Sequence, residues 1–406
     1  MTTDLTCRFP LGAALTAADL EDDPHPHLAR LREREPVSWL PALGGWLVTS
    51  RDLALRVMRD AAAFTVDDPR FSTAQVVGPS MLSLDGPVHT RHRDPFARPF
   101  RPARTRARFT AFVEAETARL VDGFAPAGRA ELRGELAGPL AVAVVAEALD
   151  LKGGEGLDGG DGLDGVDAAT VRSWYGAFVD AVSAITAGGA APPASGEAYR
   201  LLTAAVEEAI SASRPGSLLA EAARDEAGLT TAEVVANAAI LMFGGIDTTE
   251  GMIANAVMHL LGHPGQLRLV LDDRDLLPAA IEESLRLEPA ASVVDRYAAR
   301  DAEIGGTEIR AGDLVRVSLA GANRDPAAFA DPDRYDIRRG NAAEHLAFAH
   351  GPHFCFGAHL ARLEARTALT ALLDRLPGLR LDPSRPAFPH GLVFRKPPHL
   401  HVQWDT

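Results

Sequence analysis

Apolar residues recur at the three- to four-residue spacing of an amphipathic helix over much of the chain. This spacing predicts helices at 27–34, 51–62, 168–185, 197–213, 264–273 and 276–287, and a broken helical stretch from Pro87 to about Leu151. Thr230, with Glu233 three residues later, forms a capping box, and the helix that it opens can continue to Leu261. A last long helix is predicted to follow Gly357 and to end near Leu376.

Alternating apolar and polar positions predict short strands in three regions of the chain. They lie near the start, in the late middle and at the end, at 36–40, 45–49, 293–297, 303–309, 313–318, 392–394 and 400–404. Residues 63–84 lack a clean period, so we predict a long loop of the kind that often binds ligands. The pattern therefore predicts a mainly α fold with small β-sheets. No linker separates two self-sufficient cores, so we expect one domain over residues 1–406.

Composition and charge narrow the class of protein. The chain has 406 residues, 47% of them apolar, and a formal net charge of −14, which disfavours a general nucleic-acid binder. Its two cysteines, Cys7 and Cys355, give no disulfide framework, as expected in a reducing cytoplasm. The first residues lack the layout of a signal peptide, and no uninterrupted 18-residue apolar span occurs. We therefore expect a cytoplasmic protein with no membrane helix.

A glycine- and aspartate-rich segment interrupts the helical pattern. Residues 153–167 contain a near-duplication, G-E-G-L-D-G followed by G-D-G-L-D-G. Calcium-binding glycine repeats need a nine-residue period and several stacked copies, whereas this segment has a six-residue period and two copies. We expect a flexible surface insertion at 153–165, with cation binding as the alternative.

Cys355 stands at the end of a glycine-bearing loop, directly before a predicted helix. The N–H groups and positive dipole end of that helix favour a thiolate. Gly351 and Gly357 would allow positive φ and a close approach of the backbone, and Phe348 would supply an apolar wall. This arrangement suits a thiolate bound axially to haem iron. An inert buried cysteine is the plainer alternative, and zinc fits worse because no C-x-x-C pair is present.

The predicted long helix carries an unusual run, Phe243-Gly244-Gly245-Ile246-Asp247-Thr248-Thr249. Two adjacent glycines in a helix cost about 1 kcal/mol each relative to alanine. They would let a flat ligand lie against the helix, and Asp247 and Thr248 could then pass protons to a reduced oxygen. The alternative is a kinked helix in which a threonine hydroxyl binds a backbone carbonyl.

These motifs together resemble the cytochrome P450 family. The resemblance rests on F-x-x-G-x-x-x-C-x-G around Cys355, on G-G-x-D-T in the long helix, and on the E-x-x-R formed by Glu283 and Arg286. It is close over 229–404 and weaker over 80–100, and Ala349 stands where the family frequently has glycine.

The resemblance implies a cytochrome P450 fold that holds haem b through Cys355. It implies that Phe348, Gly351, Gly357 and Gly244 surround the haem and that Asp247 and Thr248 relay protons. The propionates would be bound by His89, Arg93, Arg296 and His353, with His92 and Arg300 as competing candidates. Arg334, in Pro332-Asp333-Arg334-Tyr335, would join Glu283 and Arg286 as the third member of a structural cluster.

The implied activity is that of a bacterial haem-thiolate monooxygenase, which inserts one atom of O2 into an apolar small molecule. No Rossmann glycine motif or iron–sulfur cysteine set is present, so ferredoxin and ferredoxin reductase are the implied electron donors. Candidate cations for docking a ferredoxin are Arg101, Arg104 and Arg362. Peroxide-driven or oxidative coupling chemistry, and haem binding without turnover, are the alternatives.

The positions of the predicted helices, strands and loop suggest which residues line an apolar substrate pocket. Each of these residues could instead belong to the ordinary core. The candidates are Phe71, Val76, Val77, Met81, Leu82, Trp174, Phe243, Ala291, Val293, Val294 and Leu392.

Overall fold

The structure, a computed structural model, describes residues 2–151, 166–186, 189–212 and 216–406. The insertion expected at 153–165 lies outside the described residues. The α-helices run in the order α1 (Thr2–Arg8), α2 (Pro10–Ala13), α3 (Ala17–Glu21), α4 (His25–Arg34), α5 (Arg51–Arg59), α6 (Ser72–Val77), α7 (Gly86–Ala97), α8 (Pro102–Phe124), α9 (Gly138–Ala148), α10 (Ala168–Thr186), α11 (Pro193–Ala212), α12 (Leu218–Arg224), α13 (Thr231–Gly245), α14 (Asp247–Gly262), α15 (Pro264–Asp272), α16 (Leu277–Leu287), α17 (Leu319–Ala322) and α18 (Ala358–Arg375).

The strands are short and few beside the helices, as the alternation pattern predicted. They are β1 (Val37–Leu40), β2 (Gly45–Val48), β3 (Phe64–Thr65), β4 (Arg129–Glu131), β5 (Val293–Ala298), β6 (Ala302–Ile304), β7 (Thr307–Ile309), β8 (Leu314–Ser318), β9 (Arg380–Leu381) and β10 (His401–Gln403). None of the helices in the described ranges is both long enough and apolar enough to cross a lipid bilayer.

The first compact unit comprises Met1–Thr65, Thr117–Ala137 and Thr248–Thr406. It contains a five-stranded sheet in the order β1-β2-β8-β5-β3, in which only β2 and β8 run parallel. The alternating residues of β1 and β2 that predicted this sheet pack into two apolar clusters, one around Trp46 and Val48 and the other around Leu40 and Leu47. A three-stranded sheet, β4-β10-β9, and the β6-β7 hairpin complete the unit's strands.

The second compact unit comprises Val66–Glu116 and Gly138–Asp247 and is helical. In it α10 packs against α6, α9, α11 and α13, and α9 packs against α13. Apolar side chains such as Val144, Phe178 and Leu202 are fully buried among these helices. Each unit thus has its own core, and one domain over the whole chain stays a prediction.

The long helix predicted from Thr230 to Leu261 is two helices. Its capping box is confirmed, because the Thr230 hydroxyl accepts from the Glu233 amide and the Glu233 carboxylate accepts from the Thr230 amide. The helix breaks at Ile246, between α13 and α14. Two preceding glycines lower the local helix propensity, which is the physical reason that an apolar pattern alone did not predict the break.

Several short elements differ from the prediction. The expected loop at 63–84 contains strand β3 and helix α6, which are too short to show a clear period. Residues 392–394 form only an isolated bridge, between Phe394 and Ala291, instead of a strand. Helix α11 begins at Pro193, before the predicted start at 197, because proline is well tolerated in the first turn of a helix.

Candidate active site

Cys355 lies where the sequence predicted, at the end of a loop that leads into α18. Its amide donates to the Phe348 carbonyl oxygen at 2.9 Å, and the Phe354 amide donates to the Gly351 carbonyl oxygen at 3.0 Å. The thiol-bearing residue is half-buried. Gly357 is the N-cap of α18, so Cys355 stands two residues before the cap. We call residues 348–357 the cysteine loop.

The two glycines of the cysteine loop differ in conformation. Gly351 has φ +75°, and a Cβ there would lie 2.3 Å from the Met58 carbonyl oxygen of α5, so only glycine fits. Gly357 has φ −75°, a helical value, so the positive φ expected there is wrong. A Cβ on Gly357 would lie 3.7 Å from the Cys355 sulfur, an ordinary contact distance.

Ala349 is a non-glycine residue in the left-handed region, at φ +57°. This conformation costs an L-residue about 1–2 kcal/mol. The Ala349→Gly variant should relieve that strain, at the expense of a partly buried methyl and a more flexible unfolded chain, together about 1 kcal/mol. We expect a net stabilisation of up to about 1 kcal/mol, measured by urea unfolding. Ala347→Gly, two residues earlier and without positive φ, is the control and should destabilise. A loss of stability in Ala349→Gly as large as in the control would contradict the assigned strain.

Arg362, one turn into α18, does not stand free for docking as the sequence suggested. Its Nε and Nη2 atoms donate to the two Glu282 oxygens at 2.6 and 2.8 Å. Its guanidinium carbon lies 4.5 Å from the centroid of the Phe348 ring. Burial alone would raise the pKa of Glu282, but the hydrogen bonds from Arg362 and the nearby His345 ring lower it to about 2. The carboxylate is therefore ionised at all physiological pH values.

Glu283 and Arg286 form a fully buried ion pair on α16. Arg286 donates to both Glu283 oxygens, at 2.7 and 2.9 Å, and to the carbonyl oxygens of Asn323, Pro332 and Arg334. The third member of the cluster is Arg339, whose Nε donates to Glu283 at 3.0 Å. The prediction of Arg334 is wrong, because its carbonyl oxygen faces the pair while its side chain is 64% exposed and lies near Asp336.

The second unit holds the glycine run at the end of α13. A Cβ on Gly245 would lie 2.6 Å from a methyl of Val145, so Gly245 lets α9 and α13 pack closely. A Cβ on Gly244 would meet no heavy atom of the described residues within 4 Å. Open space therefore lies beside Gly244, as a flat ligand requires. Asp247 is the last residue of the second unit, and Thr248 begins the last segment of the first unit.

Four cationic residues were predicted to bind carboxylates. His89 is buried and Arg93 half-buried on α7, one turn apart, which places them on one face. In the other unit, Arg296 is buried on β5 and His353 is half-buried in the cysteine loop. The competing Arg300 is exposed, which favours Arg296.

His92, the competitor of His89, is held by other polar groups of the second unit. The Asn237 side-chain oxygen accepts from the Met81 amide at 2.8 Å, so its NH2 group donates to His92 Nδ1, 3.1 Å away. His92 Nε2 then carries the proton and faces Glu233 at 3.2 Å. Burial lowers the pKa of His92, which favours this neutral form. No pattern in the sequence indicated this network, which ties the 78–84 segment to α13.

The predicted pocket residues are divided between the units. In the second unit Val77, Met81, Trp174 and Phe243 are buried, and the Phe243 ring packs edge-on against Tyr175. Phe71, Val76 and Leu82 are half-buried. In the first unit Val294 and Leu392 pack against the two apolar clusters, which explains them without a ligand. Val293 is buried and Ala291 forms a bridge with Phe394.

The donor set fits haem b. A half-buried cysteine before a helix N-terminus suits iron, and arginine and histidine side chains in buried positions suit two propionates. Open space at Gly244 suits the flat face of the ring.

Comparisons with known proteins agree with this chemistry. The sequence model described as Cytochrome P450 matches residues 211–401. Cytochrome P450 monooxygenase PikC of Streptomyces venezuelae is 39% identical, over 90% of this chain and 87% of its own. Mycinamicin IV hydroxylase/epoxidase of Micromonospora griseorubida is 34% identical, over 92% of this chain and 94% of its own. The crystal structure of HmtN, a post-tailoring hydroxylase involved in himastatin biosynthesis, has a TM-score of 0.80 at 29% identity and covers 96% of this chain and 100% of its own.

Proposed function

Because the chain belongs to the cytochrome P450 family and has its mainly α fold, we propose that it hydroxylates an apolar natural product with electrons from a ferredoxin and its reductase. The family's members are haem-thiolate monooxygenases, and its named relatives make this chain a P450 monooxygenase. The substrate, the donor and the residues that serve them are our proposal. The observation that carries it is the half-buried Cys355, held by the Phe348 carbonyl oxygen before α18.

Haem b, when bound through a cysteine thiolate, supplies the activation of O2. The chain's residues do the rest. Cys355 provides the thiolate, and the rigid backbone at Gly351 and Phe348 fixes where its sulfur lies. The residues that would bind the haem's carboxylates are His89 and Arg93 in the second unit, and Arg296 and His353 in the first.

Asp247 and Thr248 relay protons from solvent to the oxygen that is reduced. They open α14, where the first amides of a helix have no partner within the helix. Both residues are half-buried, and the break at Ile246 separates them from α13. A relay at this place needs an acid and an alcohol in sequence, which the chain provides.

Thr248→Ala is expected to uncouple electron transfer from product formation. Loss of the hydroxyl should lower the product formed per NAD(P)H by about tenfold or more, with electrons diverted to peroxide or water. Substrates for this assay come from a library screen for loss of the haem's water ligand, read from the absorption spectrum. Thr249→Ala, the adjacent buried threonine, is the control and should stay coupled. Full coupling in Thr248→Ala would overturn the proton relay assigned to Thr248.

The relatives and the lining residues support an apolar natural product as substrate. A mycinamicin hydroxylase/epoxidase and a 20-oxo-5-O-mycaminosyltylactone 23-monooxygenase are 34% and 32% identical to this chain. Among the predicted pocket residues of the second unit, Phe71, Val76 and Leu82 are half-buried and so keep apolar area that a ligand could cover. An apolar wall with few polar groups binds a ligand mainly through burial of its apolar area.

A cationic surface beside the cysteine loop is the proposed place for a ferredoxin. Arg56 and Arg59 are exposed in the last turn of α5, and Arg59 lies 3.2 Å from the His350 ring. Phe354, directly before Cys355, is 45% exposed and adds an apolar contact. Arg101 and Arg104 are exposed in the second unit, whereas Arg362 is engaged by Glu282.

Reversing this charge should weaken the donor's binding. Arg59→Glu is expected to slow first-electron transfer from an acidic ferredoxin by roughly tenfold at low salt, and the difference should shrink as salt increases. The measurement is stopped-flow reduction under carbon monoxide. Arg300→Glu, an exposed arginine between β5 and β6, is the control. Equal slowing in both variants would remove the α5 surface from consideration.

A further inference from the structure

Glu282, Arg362 and Phe348 form a contact cluster beside the cysteine loop. Arg362 donates to both oxygens of Glu282, at 2.6 and 2.8 Å, and so joins α18 to α16. The same guanidinium lies over the Phe348 ring, 4.5 Å from its centroid. A planar guanidinium can pair in its plane and stack on its face at once, which lysine cannot do. Arg362 therefore links α16 to the start of the loop.

A single residue, Phe348, connects this cluster to Cys355, which carries the sulfur. The Phe348 carbonyl oxygen accepts from the Cys355 amide at 2.9 Å. Ring and carbonyl belong to one residue, so holding the Phe348 ring in place restricts the backbone from which this carbonyl projects. The cysteine loop thus depends on a salt bridge whose residues are 80 positions apart in the chain.

His345 ties a second point of the same segment to Glu282. Its Nδ1 accepts from the Ala347 amide at 3.2 Å, so its Nε2 carries the proton. That nitrogen lies 3.2 Å from a Glu282 oxygen. Glu282 therefore faces two groups that hold residues 345–348, and it is only 17% exposed.

We propose that Glu282 and Arg362 are positioning residues for Cys355, and that their balanced charges set the reduction potential of the iron that this sulfur binds. This inference rests on the ligation by Cys355 in the proposed function. Charge and hydrogen bonding around a ligating sulfur are known determinants of such potentials. The pair is partly screened from solvent, so a change of either charge is felt more strongly than at an open surface.

Glu282 and Arg362 carry opposite charges, so the proposal can be tested by removing each charge in turn. Arg362→Gln leaves the Glu282 carboxylate uncompensated, which favours the oxidised iron, so the potential should fall. Glu282→Gln leaves the guanidinium uncompensated, which favours the reduced iron, so the potential should rise. The double variant Glu282→Gln/Arg362→Gln should return to near the wild-type value, because both charges are then removed.

The experiment is a spectroelectrochemical titration of each purified holoprotein. Arg375→Gln is the matched control, since Arg375 lies on the same helix and pairs with Asp122, away from the loop. Arg362→Lys keeps the charge without the bidentate stack, and its potential should lie closer to the wild type than that of Arg362→Gln.

Opposite shifts that exceed the control's shift would support the proposal. Shifts of the same sign, or none beyond that of Arg375→Gln, would overturn it. The failure of the proposed function would look different, because the wild-type protein would then lack the carbonyl spectrum of a thiolate-bound haem. A Glu282→Gln protein that binds haem normally but keeps the wild-type potential would contradict the electrostatic inference and leave the proposed function intact.

Discussion

Replacing Cys355 by alanine is expected to abolish haem retention and O2-dependent turnover. The sulfur is the chain's ligand to the iron in the proposed function, and alanine offers no donor atom. Loss of mere outer partners of a metal ligand costs about 10–100-fold in affinity, so loss of the ligand itself should cost more. The measurement is the haem bound per chain after purification with added haem.

Cys7 provides a control for this substitution. It lies on α1, is exposed, and is the chain's other cysteine. Cys7→Ala should keep full haem content and activity. Far-UV circular dichroism of Cys355→Ala should stay close to that of the wild type, which separates loss of the ligand from loss of the fold. Normal haem content in Cys355→Ala would mean that another residue binds the iron.

Replacing Arg286 by alanine should destabilise the protein by about 3–5 kcal/mol, as expected when a buried ion pair loses one partner. Arg286 is fully buried, and its loss leaves the Glu283 carboxylate and three backbone carbonyls with fewer donors. Its guanidinium also lies 5.3 Å from the Phe329 ring centroid. A cost of this size is comparable to the stability of many domains, so we expect little folded protein.

Another E-x-x-R of the chain serves as the control. Glu197 and Arg200 on α11 have the same spacing and also form a bidentate pair, but they are 58% and 65% exposed. Arg200→Ala should cost no more than about 0.5 kcal/mol. Urea unfolding of both variants tests the difference. Equal stabilities would show that burial does not give the Glu283–Arg286 pair its importance.

The strongly periodic elements could be predicted from the sequence, and the reason is physical. Long amphipathic helices and alternating strands bury one face, so the spacing of apolar residues along the chain predicts which positions are buried. The capping box at Thr230 and the placement of Cys355 before α18 depend only on neighbours in sequence. These features were found correctly for that reason.

Other features depend on which distant side chain reaches a site. A family motif pointed to Arg334, but Arg339 pairs with Glu283, because the intervening turn presents the Arg334 carbonyl oxygen instead. The ion pair of Glu282 and Arg362 joins two helices, so no pattern within either helix's own sequence predicts it. The positive φ of Ala349 was likewise invisible, since alanine rarely adopts it.

The carbonyl spectrum of the reduced wild-type protein tests the central claim most directly. If the Cys355 thiolate binds haem iron, carbon monoxide should produce the strongly red-shifted absorption band that distinguishes this ligand. A band at the shorter wavelength typical of a histidine-bound or unliganded haem, in freshly purified protein, would contradict the assignment of Cys355 and with it the proposed chemistry.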